Sequence, residues 1–242
     1  MRKSECLDLP DKLYTTRYFY MSKEQRGVYE ATKEYYLEKL DELDDDDRLR
    51  MYDIFVMFTR LQQIVSGFDD DGEYQHERLN TLLEVVSEIE DDEKIVIWAK
   101  FQYDIEQIVQ ALSDKYGEDM VAQFHGKINE KKRNQEVERF RKNARFFVAT
   151  QSAGGHGLTL NEASQVVFYN NNFKYSERAQ AEDRCHRIGQ TKSVVYTDIE
   201  CISSIDSRIS DALIRKESVL EAFKRQVDKV KREGLREMIN SL

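Results

Sequence analysis

KIVIWA, residues 94–99, is the stretch whose reading decides the fold. After its lysine every position is apolar, and the run is too short for a buried helix. That combination marks a strand covered on both faces, as in a parallel sheet. Working outward, four more short apolar runs follow: VAQF at 121–124, RFFVAT at 145–150, QVVFY at 165–169 and SVVYTDI at 193–199. Between them lie helical patterns, at 77–89, 103–112 and 130–142 and around 180–190. Strands alternating with helices predict an α/β fold with a mainly parallel sheet sandwiched by helices.

Upstream the pattern differs. YTTRYFYM at 14–21 is β-prone, and Ser22 opens a helix with Gln25 in the capping-box place, running to about Leu43. The acidic run DELDDDD at 41–47 breaks it. A second helix over 48–66 carries Met51, Ile54, Phe55, Phe58, Leu61 and Ile64 on one face and stops at Gly67. FDDDGEY at 68–74 reads as a boundary loop. The expected organisation is therefore a short strand with a helical appendage (1–73), an α/β lobe (74–216) and a helical tail (217–242).

Composition excludes several classes. The net charge of −9 argues against a broad basic clamp for nucleic acid, although a narrow phosphate-tracking groove needs only a few amides and local cations. The acid is segregated into runs that read as solvated loops and helix ends. Cys6, Cys185 and Cys201 lack any CxxC spacing, which favours a reducing compartment over a disulfide framework or zinc ribbon. No apolar run reaches the roughly 18 residues of a membrane span. The N-terminus lacks the apolar stretch of a signal peptide. A soluble intracellular protein, with no membrane partner, is the expectation.

In such a sheet, ligands gather at the carboxyl ends of the strands. TQSAGGHGLT at 150–159 follows RFFVAT, and its three glycines would let backbone amides approach a phosphate. QAEDRCHRIGQ at 180–190 reads as a helix with Gly189 as its cap. At 100° per residue, Gln180, Arg184 and Arg187 fall within an arc of about 60°, a face suited to bidentate capture of a polyphosphate. The competing reading is a surface helix with its arginines salt-bridged to Glu182 and Asp183. Lys100 to Gln102 after KIVIWA, and His125 with Gly126 after VAQF, either form ordinary loops or track a nucleic-acid backbone. Gly126 and Lys127 do not make a Walker A loop, because Ile128 follows and no glycine stands five residues earlier. The four histidines show no metal-ligand spacing with the cysteines, and no hydrolytic triad signature is present.

The stretch FFVATQSAGGHGLTLNEASQVVFYNNNFKYSERAQAEDRCHRIGQTKSVVYTDI resembles motifs V and VI of the Swi/Snf-type DNA translocases, within helicase superfamily two. KIVIWAKFQYDIEQIV is similar to motif IV, FHGKINEKKRNQEVERF to the segment after it, and FTRLQQIVSG to the helical insert before the second lobe. The GLTL form and compact insert are nearest to annealing-helicase-like, bacterial and phage members. Two departures stand out. Many members carry Asp-x-x-Trp-Asn-Pro where this chain has Asn170, Phe173, Lys174 and Tyr175, and many carry Asn where Thr159 stands.

The resemblance implies a RecA-like second motor lobe, with ATP bound between it and a first lobe that supplies the Walker A lysine and the magnesium-binding carboxylates. Arg184 and Arg187 would be arginine fingers oriented with help from Gln180, and Gly155 and Gly157 would shape the nucleotide-side loop. Lys100, Gln102, His125, Gly126, Thr150, Gln151 and Ser152 would follow the double-stranded DNA backbone. Motifs I, Ia, II and III are absent, so the isolated chain is expected to be inactive as an ATPase. The resemblance implies a cytoplasmic protein of a prokaryote or phage, or a nuclear one in a eukaryote. Two alternatives stay open: a stand-alone, non-catalytic RecA-like module that binds DNA or protein, and an RNA helicase lobe.

Overall fold

A computed structural model describes residues 9–42, 47–152 and 157–227, together with positions 237, 239 and 242. The chain packs as two compact units. The first comprises Met1–Arg17, Leu79–Asn172 and Ser176–Ile199, and the second Tyr18–Arg78, Phe173–Tyr175 and Glu200–Leu242.

The first unit is built on one parallel sheet. Its strands are β1 (Lys12–Phe19), β2 (Ile95–Ala99), β3 (Val121–Phe124), β4 (Phe146–Thr150), β5 (Gln165–Phe168) and β6 (Val194–Cys201), in the order β1-β6-β5-β2-β4-β3. β2 pairs in parallel with β4 (Ile97 opposite Val148) and with β5 (Ile97 opposite Val167). Every residue of β2 is buried, as its unbroken apolar pattern requires. One face packs Val96, Trp98, Phe147, Ala149, Val166 and Phe168 into a cluster with Val137 and Phe140 of α5 (Glu130–Lys142) and with Ala181 and Cys185 of α6 (Tyr175–Cys185). The other is served by α4 (Gln102–Tyr116), whose Ile105, Ile108 and Leu112 are buried and which packs along β2, β3 and β4. This is a RecA-like α/β sheet flanked by helices.

The strand order reverses at β2, because the chain moves from β4 on one side to β5 on the other. The carboxyl ends of β2, β4 and β5 therefore meet, with Ala99 opposite Thr150 and Tyr169 N–H donating to the Trp98 carbonyl at 2.9 Å. A reversal of this kind opens the crevice in which open α/β sheets bind ligands. The sheet ends at β3, where Glu136 of α5 accepts the Gln123 backbone N–H at 3.1 Å, covering an edge donor that would otherwise template another strand. α5 starts where Asn129 caps it, its side chain accepting from Lys132 N–H at 2.9 Å.

In the second unit, α1 (Lys23–Glu42) packs against α2 (Asp47–Val65), and α7 (Ile205–Ile214) against α2 and α8 (Val219–Val227). The expected capping box is present: Gln25 N–H donates to Ser22 Oγ at 3.1 Å, and Ser22 N–H to Gln25 Oε1 at 3.0 Å. Gln25 also donates to the Ile64 carbonyl at 2.9 Å, so one side chain both caps α1 and fastens it to α2. Ile54, Phe58, Leu61 and Ile64 are buried as expected, but Phe55 is 42 % exposed. Its ring leaves the apolar stripe to meet Phe173 edge-on at 5.8 Å, and Met57 fills the core instead. The acidic run at 43–46 lies outside the described residues. Arg78, fully buried, is ion-paired to Asp206 near the start of α7.

Candidate functional site

The stretch 180–190 does not form one helix. α6 ends at Cys185, and His186 N–H makes the last helical bond, to the Glu182 carbonyl at 3.1 Å. Gln190 explains the break. Buried, it donates from Nε2 to the carbonyls of Ala163 (2.9 Å), Asn161 (3.2 Å) and Cys185 (3.4 Å), while its Oε1 accepts the N–H groups of Thr191 and Lys192. Those bonds fold the chain back over the end of the helix. Gly189 turns in the left-handed region (φ +99°), and a Cβ there would stand 2.5 Å from Asn161 Nδ2. The expectation that Arg187 lies on the helix, with Gly189 as its immediate cap, is thus corrected: Arg187 lies in the turn beyond.

The two guanidiniums nonetheless converge. Arg184 Nη1 donates to the Leu158 carbonyl at 3.5 Å, and Arg187 Nη1 to Thr159 Oγ1 at 3.3 Å. Leu160 N–H reaches the Arg184 carbonyl at 2.9 Å, tying the glycine-rich crossover to the helix end. Among the described residues neither arginine forms an ion pair, and Arg184 Nε is buried without a hydrogen-bond partner. Burial, then the neighbouring Arg187 cation, lowers the Arg184 pKa from its ordinary value, with Asp183 opposing. Two like charges held together with unspent donors have the chemistry to accept an anion.

The salt-bridged surface helix is not what the structure contains. Glu182 is buried and turned away: its Oε1 accepts from Arg178 Nε at 2.9 Å, its Oε2 from Lys12 Nζ and Tyr14 OH, each at 2.9 Å. Burial pushes its pKa up, but the Arg178 and Lys12 cations outweigh that and leave it lowered. Arg178, itself buried, reaches on to Asp198 and Asn171 and lies 3.5 Å from the Phe168 ring centroid. Burial lowers its pKa, and the carboxylates of Asp198 and Glu182 overcome that to raise it.

The residues expected along a DNA backbone form a second group, at the carboxyl ends of the strands. Thr150 ends β4, and Ser152 is exposed with its hydroxyl 3.4 Å from Thr150 Oγ1. Lys100 follows β2, its N–H donating to Asn170 Oδ1 at 2.7 Å, and Gln102 opens α4, bonded to Glu106. Gln151 is buried rather than presented: its amide donates to the Asn170 carbonyl at 3.1 Å and its oxygen accepts Asn172 N–H at 3.0 Å. His125, after β3, is buried with Nε2 against Gln123 Oε1 at 3.0 Å, while the carbonyls of His125 and Gly126 accept from Arg133. Gly157 is exposed in the left-handed region (φ +69°); Gly155 lies outside the described residues, and Gln180 is exposed on α6. The arginine pair contacts Leu158 and Thr159 within the crossover from β4 to β5, and Thr150 and Ser152 stand at its start.

Sequence reading missed the residues that hold the site. Gln190 was visible as the last letter of HRIGQ, but its buried clamp depends on contacts with 161–163 that no spacing reveals. Arg178, one turn before Glu182, had the i, i+4 signal of a helix pair. Asn170, donating to the buried Asp104 at 2.6 Å, had none.

Comparison with known proteins bears on the domain and its fold. Residues 77–189 match the helicase conserved C-terminal domain. An uncharacterized ATP-dependent helicase of Mycoplasma genitalium is 25 % identical over 217 residues, covering 88 % of this chain and 21 % of its own length. The chain thus spans about a fifth of that relative's length. The Sulfolobus solfataricus SWI2/SNF2 ATPase core in complex with dsDNA superposes with a TM-score of 0.76 at 24 % identity, over 98 % of this chain and 52 % of that one. The C-terminal domain of the Sulfolobus solfataricus SWI2/SNF2 ATPase matches with a TM-score of 0.70 at 20 % identity, over 94 % of this chain and 97 % of its own. Residues 77–189 thus carry the match to a helicase conserved C-terminal domain, and the lobe around them has the fold of a SWI2/SNF2 ATPase C-terminal domain.

Proposed function

We propose that the chain is the second motor lobe of a Swi2/Snf2-type, DNA-dependent ATPase, and that Arg184 and Arg187 are its arginine fingers. One observation carries this reading: two adjacent guanidiniums, free of ion pairs among the described residues, share one short segment, and Arg184 keeps a buried, unpartnered donor. Forcing cations together costs stability unless an anion completes the site, and a triphosphate has the charge and acceptors to do so. The chain's own residues would hold and neutralise the transferred phosphoryl group. Magnesium and the Walker lysine would come from the first lobe. Relatives that are ATP-dependent helicases support the use of ATP.

The DNA backbone is assigned to the second group: Thr150, Ser152, Lys100 and Gln102 at the carboxyl edge, with His125 and Gly126 beside them. A fold neighbour solved in complex with dsDNA supports this placement. Gln151, being buried, acts there by shaping the loop.

The test is DNA-stimulated ATP turnover of the full-length protein. Arg184→Ala and Arg187→Ala are each expected to lower kcat by roughly 10³-fold or more, the scale of a lost arginine finger. Normal turnover in both variants would refute the assignment, and a stand-alone binding module would then be the better description.

A further inference from the structure

We infer that residues 10–14 form a positioning strap for the arginine site, with His186 and Glu182 as the positioning residues through which it acts; the inference rests on the finger assignment above. Six contacts carry it, all within the first unit. His186 Nε2 lies 2.7 Å from the Pro10 carbonyl, and since a carbonyl only accepts, that nitrogen bears the proton and donates. Lys12 Nζ and Tyr14 OH both donate to Glu182 Oε2 at 2.9 Å. Asp11 offers its carbonyl to Val194 N–H at 3.0 Å, anchoring the strap to the sheet. The Tyr14 ring stacks on Tyr196 at 5.3 Å, and Tyr196 OH donates to the Glu182 carbonyl at 2.9 Å.

The placement gives these contacts their consequence. The strap holds the end of α6 on the side away from the crossover, at residues 182 and 186. Arg184 lies between those two anchors and Arg187 directly follows the second. Their guanidiniums reach the opposite way, to Leu158 and Thr159. Arg187 lies past the last helical hydrogen bond, so helix geometry does not fix its direction; the turn clamped by Gln190 and the His186 bond to Pro10 do so together. A shift of residues 10–14 therefore moves the fingers, and the strap couples the chain's N-terminal segment to the chemistry.

The experiment uses the full-length protein and compares His186→Ala, His186→Asn and the double variant Lys12→Ala/Tyr14→Phe, with Arg187→Ala as reference. Fingers act on the transition state, so His186→Ala should lower DNA-stimulated kcat by roughly 10- to 100-fold with KM for ATP little changed, as expected of a small misplacement. His186→Asn, which keeps a donor, should restore most of the rate. Combined with Arg187→Ala, His186→Ala should add far less than its own loss, because both act through one group. In the chain itself, His186→Ala should speed amide exchange at residues 184–189 while β2 and β4 stay protected. Equal fold-losses with and without Arg187, or unchanged exchange at 184–189, would overturn the strap while leaving the fingers standing. Full activity of Arg187→Ala would instead overturn the finger assignment itself.

Discussion

Arg178 donates from Nε to Glu182 Oε1 at 2.9 Å, one helical turn away, and Glu182 forms no ion pair with Arg184 among the described residues. The carboxylate that a salt-bridged surface helix would offer its arginines is spent on Arg178. The same arginine continues to Asp198, so β6, α6 and the strap at 10–14 share one buried charge network. Arg184 and Arg187 form no ion pair among the described residues.

The first prediction concerns that network. Glu182→Ala takes one acceptor from the buried Arg178 and one from the half-buried Lys12, and breaking a buried pair from one side costs about 3–5 kcal/mol. Arg178 keeps Asp198, so the lower end of that range is expected. Equilibrium denaturant unfolding measures it; a loss under about 1 kcal/mol would show that water replaces the carboxylate.

The two glutamines that flank QAEDRCHRIGQ should behave oppositely. Gln190 makes three bonds to carbonyls and accepts two N–H groups, whereas Gln180 is exposed on α6. Gln190→Ala strands several buried acceptors and donors, at a cost of about 2–4 kcal/mol from unmade hydrogen bonds. Gln180→Ala should stay within about 0.5 kcal/mol, as surface changes do. Thermal unfolding of the two variants side by side decides it.

How much was legible in advance follows from the range of the forces involved. KIVIWA, RFFVAT and QVVFY were readable as buried strands because burial on both faces leaves an unbroken apolar pattern in the chain itself. Ser22 and Gln25 were readable because a capping box is a three-residue interaction. The convergence of Arg184 and Arg187 was anticipated from helix periodicity, yet it arises differently: the helix stops at Cys185 and a turn delivers Arg187. What ended the helix was Gln190 reaching residues nearly thirty positions back. Phe55 left its stripe because Phe173, far along the chain, offers it a ring. Local pattern spoke for elements; contacts between distant segments decided their ends.

Acid should weaken the second unit through His76. Burial, then the Arg78 cation, lowers its pKa from 6.5 to about 4. A depressed folded-state pKa means that between pH 6.5 and 4 the unfolded chain binds a proton that the folded chain refuses. This contribution is absent above pH 6.5 and destabilises progressively as pH falls toward 4, by at most about 1.4 kcal/mol per pH unit. Unfolding free energies measured across that window should fall more steeply for the natural chain than for His76→Gln. Parallel curves would remove His76 as the cause.

Gly67 presses on the same imidazole. It ends α2 with φ +90°, and a Cβ built on it would overlap the His76 ring. Gly67→Ala therefore meets both a disfavoured backbone region, costing about 1–2 kcal/mol, and a clash that the half-buried ring relieves only by moving. The double variant Gly67→Ala/His76→Ala should recover the clash component but keep the backbone one. A double-mutant cycle by denaturant unfolding separates the two.

The finger assignment makes its own demand on stability, opposite to that of Glu182. Arg187 is exposed, and each guanidinium raises the electrostatic cost of the other. Removing Arg187 should therefore change unfolding free energy by no more than about 0.5 kcal/mol, in either direction. Relief of the repulsion should oppose the lost contact with Thr159. Added salt screens the pair, so any gain seen at low ionic strength should shrink at high. A residue that costs the fold almost nothing when removed, yet abolishes turnover in the full-length protein, is held for chemistry. If Arg187→Ala instead unfolds the chain, its loss of activity says nothing about phosphate, and the pair would have to be re-read as structural.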